Sequence, residues 1–290
     1  MDDQEKAGNI ARECLEYGCS LIKPNVNALE VLDKIEKKIY ELGGRPAFPA
    51  QISINHVAAH CIPDKDVVFK EDDVVKLDVG VHVKGKIGDN ARTIIFNAKH
   101  KKLIEASRAA LDAALNIIKP GITLAKIGSV IDAAITARGF QTVKNLSGHL
   151  LEEYEQHAGL TIPNFDNQDT TELEEGMVVA IEPFATTGNG MVEDGKDSGI
   201  YKVMDVKNIR DASSRQILQH ILEEYKTLPF AKRWLLKKFS EFKVSFALRT
   251  LKREGILHEY KQLVEVSKGL VSQAEHTVIV GNSCKIITKE

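Results

Sequence analysis

Apolar residues recur at steps of three and four along the first part of the chain. Residues 4–22 place Ile10, Cys14, Leu15, Leu21 and Ile22 on one face, and residues 28–42 do the same with Leu29, Leu32, Ile35, Ile39, Tyr40 and Leu42. That spacing predicts two amphipathic helices, the second stopped by Gly43-Gly44. A loop, RPAFPAQISIN, leads into residues 74–96, where valines and isoleucines flank a glycine-bearing turn and predict a β-hairpin. Two more helices are predicted over 100–118, closed by Pro120-Gly121, and over 123–138, opened by Thr123 and closed by Gly139. Beyond a turn-rich segment around Ser147-Gly148-His149 come a strand at 177–185, a helical stretch and a last strand at 274–280. Paired helices around antiparallel strands read as an α+β fold.

The segment 199–262 differs from the rest in charge. It holds 14 Lys and Arg against 7 Asp and Glu, a net of +7, whereas the whole chain carries −2, so the remainder carries −9. Its run LPFAKRWLLKKF is basic and amphipathic. Residues 199–262 therefore read as a helical insert, and 1–198 with 263–290 as the main domain. A solvated helical face explains such charge, as does contact with an acidic partner such as RNA, although few aromatics accompany it to stack bases.

The 290 residues, 43% hydrophobic and 28% charged, suffice for a full core. The N-terminus MDDQEKAGNI lacks the basic-then-apolar pattern of a secretion signal. No run of about 18 apolar residues is present to span a bilayer. Cys14, Cys19, Cys61 and Cys284 are scattered without a C-x-x-C pair and read as free thiols. The expected location is cytoplasmic, with no membrane attachment.

The hairpin holds an electrostatic anomaly. Asp78 interrupts the run Val74, Val75, Leu77, Val79, Val81, and Asp89 follows just past the turn. With the tip at Val83–Lys84 the two aspartates stand directly opposite, and with the tip at Lys84–Gly85 they are diagonal neighbours. Either register puts them on one face, with Cβ atoms about 4.5–8 Å apart. Two ionised carboxylates that close, among valines, need a cation between them or a proton on one. Glu182 in VVAIEPF and Glu275 in QAEHTVIV repeat the pattern. A single such acid is explained by an exposed edge or an arginine partner, and Arg92 is a candidate for Asp89; four together are harder to explain so.

Histidines complete the set: His60 in AAHCIP, then His149 and His157 in GHLLEEYEQHAG. A lone histidine is commonly a satisfied structural residue. Beside four carboxylates it makes a mixed nitrogen and oxygen ligand set suited to Mn, Fe, Co or Zn rather than to a cysteine-rich structural zinc. Four carboxylates also balance the charge of two divalent cations.

Five stretches in order, FPAQISINHVAAH, KLDVGVHVKGKIGD, NLSGHLLEEYEQHAGLTIPN, AIEPFATTGNG and QAEHT, lie between residues 48 and 282. Together they resemble the type II methionine aminopeptidases, in the short form familiar from archaea. The resemblance implies the pita-bread fold with a helical, winged-helix-like insert where 199–262 falls. It implies that Asp78, Asp89, His149, Glu182 and Glu275 ligate two divalent ions (Co, Mn, Fe or Zn). Asp89 and Glu275 would bridge, Asp78 would serve one ion, and His149 with Glu182 the other. His60 would contact substrate beside the scissile bond, and His157 would stabilise the tetrahedral intermediate. Glu182 would move the proton, while Phe48, Phe184 and Tyr260 would form the methionine pocket.

The implied reaction is removal of the initiator methionine from nascent proteins and peptides with a small second residue, by a hydroxide activated at the metal pair. A monomer is expected, and the basic insert suggests ribosome contact. Lys84, Lys86 and Gln51 depart from the family, which commonly has an acid, an aromatic and Asn or a small residue there. The prolidases and aminopeptidases P of the same fold share the five ligands, but GHLLEEYEQHAG and the basic insert speak against them. A non-catalytic pita-bread protein binding ribosome or RNA would typically have lost ligands that this chain keeps.

Overall fold

The computed structural model describes residues 2–289. Helix α1 (Asp3–Leu21) starts where Asp2 accepts from the Glu5 amide, and α2 (Ala28–Glu41) where Asn27 accepts from the Glu30 amide. Both cover the hairpin of Val74–Val83 and Lys86–Ile95, packing Ile10, Cys14, Leu15, Leu32 and Ile35 onto Leu77, Val79 and Val81. Helices α3 (Lys101–Leu115) and α4 (Leu124–Thr136) cover the strands Val178–Ile181 and Val271–Ile279 in the same way. The strands join in one antiparallel sheet: Lys86–Ile95 pairs with Val271–Ile279, then come Val178–Ile181 and Ser147–Leu150.

Strand alternation decides which side chains face away from the helices. Leu77, Val79 and Val81 face α1 and α2, so Asp78 points to the other side. Ala274 and Val278 face α3 and α4, so Gln273, Glu275 and Thr277 point with Asp78. The sheet thus buries one face under helices and collects polar groups on the other.

The hairpin turns at Lys84 and Gly85, with φ of 48° and 92°, a two-residue turn that glycine suits. This selects the diagonal register: Asp78 opposes Ala91 and Asp89 opposes Gly80. Both turn lysines find acids, Lys84 at 3.2 Å from Asp3 and Lys86 at 3.6 Å from Glu153. Arg92, three residues from Asp89 on the same strand, leaves on the opposite face.

Two expectations change. The strand expected over 177–185 is split into Val178–Ile181 and Phe184–Thr186, because Pro183 has no N–H to give the ladder. Glu182 stands at that break. The positions 199 and 262 fall inside the paired strands Val192–Val203 and Leu257–Glu265. Between those strands lie α5 (Ala212–Glu224), α6 (Lys232–Leu235) and α7 (Glu241–Arg253), with a core of their own that includes Ile217, Ile221, Phe230, Leu235, Val244 and Leu251. Arg233 ties this segment to α2, 2.5 Å from Asp33 and also bonded to Glu36, which accepts from Trp234 Nε1 at 2.8 Å. Among the described residues no helix is long and apolar enough to cross a membrane. The four cysteines are free.

Candidate metal centre

Asp78, Asp89, His149, Glu182 and Glu275 line one chamber of about 150 Å³, together with His60 and His157. The strand faces described above deliver them: Asp78 and Asp89 from the hairpin, Glu275 from the neighbouring strand, Glu182 from the proline break and His149 from the strand beyond. Donor atoms of Asp89, His149 and Glu275 all lie within 4.8 Å of one another. His149 Nε2 is 3.5 Å from Glu182 Oε1 and 3.8 Å from Asp89 Oδ2. Exposure is 1% for Asp89, 4% for His149 and 2% for Glu275, which leaves little water to screen their charges.

None of the described residues lining the chamber is Lys or Arg. The proton affinity of the carboxyls rises accordingly. Burial pushes Asp78 up to about 7. Burial and then Asp78 raise Asp89 well above the usual carboxylate range. Glu182 is raised by burial, then by Asp78 and Asp89, and Glu275 by burial, then by Asp89, Glu182 and Asp78. Burial, then His157, lowers His149, so its imidazole is neutral and has a lone pair to give. Asp78 Oδ1 and Asp89 Oδ1 are buried without a hydrogen-bond partner. Orphaned carboxylate oxygens beside a neutral imidazole fit divalent cations of the Mn, Fe, Co and Zn type.

Neighbours hold this set in place. Gln273 Nε2 donates to Glu182 Oε2 at 3.4 Å, and its side chain offsets part of the rise in Asp78. Gln156 lines the chamber with Asp89 and its side chain offsets part of the rise in that carboxyl. Thr277 Oγ1 accepts from the Asp89 amide at 2.8 Å and donates to its carbonyl at 2.7 Å. Thr93 Oγ1 does the same for Gln273, at 2.8 and 2.7 Å. None of these was expected from the sequence. Gln273 lies two residues from Glu275, so alternation alone would have placed it on the same face. Gln156 lies in an irregular loop, where no periodicity points to it.

At the mouth, His60 has φ of 57°, a backbone conformation that non-glycine residues seldom adopt. Burial, then His157, pushes it down to about 4. Its ring makes an edge contact with Tyr260, centroids 5.1 Å apart. His157 stands edge-on to His149 at 4.4 Å and is pushed to about 4 by burial, then by Lys202. Phe184 lines the chamber directly. Tyr260 reaches it through His60. Phe48 is not among the lining residues: it is buried with Ala47, Ile87, Leu151, Ala180 and Leu228, its ring filling the space where a Gly80 Cβ would lie.

An antiparallel sheet flanked by paired helices, with a cation-demanding cluster on its open face, defines a metallopeptidase of the pita-bread fold. The chain belongs to metallopeptidase family M24, whose model matches residues 2–280. The methionine aminopeptidase of Pyrococcus horikoshii is 44% identical over 293 residues, covering 100% of this chain and 99% of the relative. That of Archaeoglobus fulgidus is 45% identical over 295 residues, covering 99% of each. The crystal structure of methionine aminopeptidase from Thermotoga maritima shares the fold, with a TM-score of 0.74 at 24% identity over 99% of this chain and 96% of that one.

Proposed function

We propose that the chamber removes the N-terminal methionine from nascent proteins and peptides whose second residue is small, using two divalent cations held by the five ligands. The observation that carries this reading is the chamber itself. Four carboxylates and a neutral histidine converge on a chamber of about 150 Å³. In this reading Asp78 would help hold one cation and His149 with Glu182 the other, with Asp89 and Glu275 available to both. Two divalent charges balance four carboxylates, which removes the reason for their raised proton affinity. Bound cations of this kind supply Lewis-acid polarisation and lower the pKa of water.

The chain's own groups do the rest. Glu182, buried and beside His149, takes a proton and returns it to the departing amine. His157, neutral at pH 7, donates its N–H to the oxyanion that develops on the scissile carbonyl. His60, held against Tyr260, crowds the second residue and restricts it to small side chains. Phe184 contacts the thioether, a soft group suited to aromatic neighbours, while Tyr260 stands behind His60.

Hydrolysis of Met-Ala-Ser, after metal stripping and reconstitution with Co, Mn, Fe or Zn singly, tests the reading. Activity should be lost on stripping and return with about two ions bound per chain. Faster cleavage of an X-Pro dipeptide would replace methionine by proline specificity, and loaded protein inert to both would overturn the proposal. We place the enzyme in the cytoplasm as a monomer, with exposed Lys237, Lys238, Lys243 and Arg249 of the helical segment available to a ribosomal surface.

A further inference from the structure

Gln156 and His157 enter the chamber from residues 151–158, a segment with no helix and only an isolated bridge between Glu152 and Glu155. A loop left to itself would sample many positions, because ordering each residue costs conformational entropy. This one is gripped from two sides. On one side is the hairpin turn. The Tyr154 amide donates to the Gly85 carbonyl at 3.0 Å, Lys86 lies 3.6 Å from Glu153, and the Tyr154 ring occupies the space a Gly85 Cβ would need.

On the other side are the strand leading into the helical segment and the loop after α5. Lys202 pairs with Glu155, their side chains 16% and 30% exposed. Thr227 Oγ1 donates to the Tyr154 carbonyl. Lys226 Nζ sits 4.2 Å from the centroid of the Tyr154 ring. Leu228 joins Leu151, Phe48 and Ile87 in one apolar cluster, against which Tyr154 packs. Tyr154 itself has φ of 59°, a conformation that needs such support.

We propose that the helical segment is a positioning element of the active site: Lys202, Lys226, Thr227 and Leu228 clamp Tyr154 and Glu155 against the hairpin turn and so hold Gln156 and His157 at the chamber wall. The clamp rests on the role given to His157 above. It assigns the segment a task in catalysis separate from any outside partner. A displacement of about 1 Å at a catalytic group can cost about 100-fold in rate, so a modest loosening is measurable.

Charge exchange gives the test. Lys202→Glu and Glu155→Lys should each lower kcat on Met-Ala-Ser about tenfold, with KM changed less than about twofold and metal stoichiometry unchanged. The double exchange should recover most of the loss. Thr227→Val, which leaves the ion pair intact, should lower kcat about threefold and serves if a charge variant fails to fold. In each variant the amides of residues 154–158 should exchange hydrogen faster than in the wild type, whatever the substrate. Wild-type kcat in the single variants, a double exchange as slow as the singles, or unchanged amide exchange would overturn the clamp. Wild-type protein inert to Met-Ala-Ser, with the variants still exchanging faster, would sink the proposed reaction and leave the clamp standing.

Discussion

Asp78 shows how much one side chain carries. Its carboxyl is raised from the usual range near 4 to about 7 by burial. A group with a raised folded pKa binds its proton more tightly when folded, so its stabilising contribution is present below the unfolded value and is lost as pH rises to the folded one. The metal-free protein should therefore lose melting temperature between about pH 4 and pH 7 from this group, and more from Asp89, Glu182 and Glu275, which are raised as well. Divalent cations should restore it, with a larger gain at pH 8 than at pH 5, because fewer protons must then be displaced. Scanning calorimetry with and without Mn²⁺ checks this, and parallel pH profiles would contradict it. Glu182→Gln should lower kcat on Met-Ala-Ser at least about 100-fold while metal remains bound; near-normal turnover would mean that another group moves the proton. At this scale the candidate acidic ligands were legible because an acid inside an apolar strand violates the pattern around it. Gln156 was not, since a polar residue in a polar loop violates nothing.

At the scale of elements, the pleat does the sorting. The strands that carry Asp78 and Glu275 give their apolar side chains to a helix pair and their acids to the chamber, and the period of two is visible in KLDVGV and QAEHTV. Register was legible only as two alternatives, because the choice depends on which residues take positive φ, and Lys84 is an unusual host for it. The split at Glu182-Pro183 was legible in principle, since proline cannot donate to a ladder. The reach of the strands Val192–Val203 and Leu257–Glu265 into the supposed insert was not, because they are polar and bulged and lack a clean alternation. Between strands, Thr277 holds the Asp89 backbone at both its N–H and its C=O. Thr277→Val keeps the shape and removes both bonds. It should destabilise the protein by about 2 kcal/mol and weaken metal binding about tenfold, measured by denaturant unfolding and by titration calorimetry. Unchanged metal affinity would show that the strand pairing suffices without the hydroxyl.

At the scale of the molecule, charge divides the chain into a −9 body and a +7 segment, and the structure separates the cations that hold the segment down from those that face outward. Arg233 belongs to the first kind, bonded to Asp33 and to Glu36, which is 3% exposed. Removing it leaves Glu36 buried beside Trp234 without its counter-charge, which typically costs about 3–5 kcal/mol. Arg233→Ala should therefore lower the melting temperature and loosen the segment whether or not a partner is present. Lys237, Lys238, Lys243 and Arg249 are of the second kind, exposed on and around α7. Replacing these four by alanine should leave stability and Met-Ala-Ser turnover close to wild type, while co-sedimentation with ribosomes falls at low salt. Binding that depends on them should also weaken steeply as salt rises in the wild type, since each contact with a phosphate releases a counterion. If the quadruple variant co-sediments as the wild type does, the outward cations are solvated surface, and the segment's role reduces to its grip on Tyr154 and Glu155.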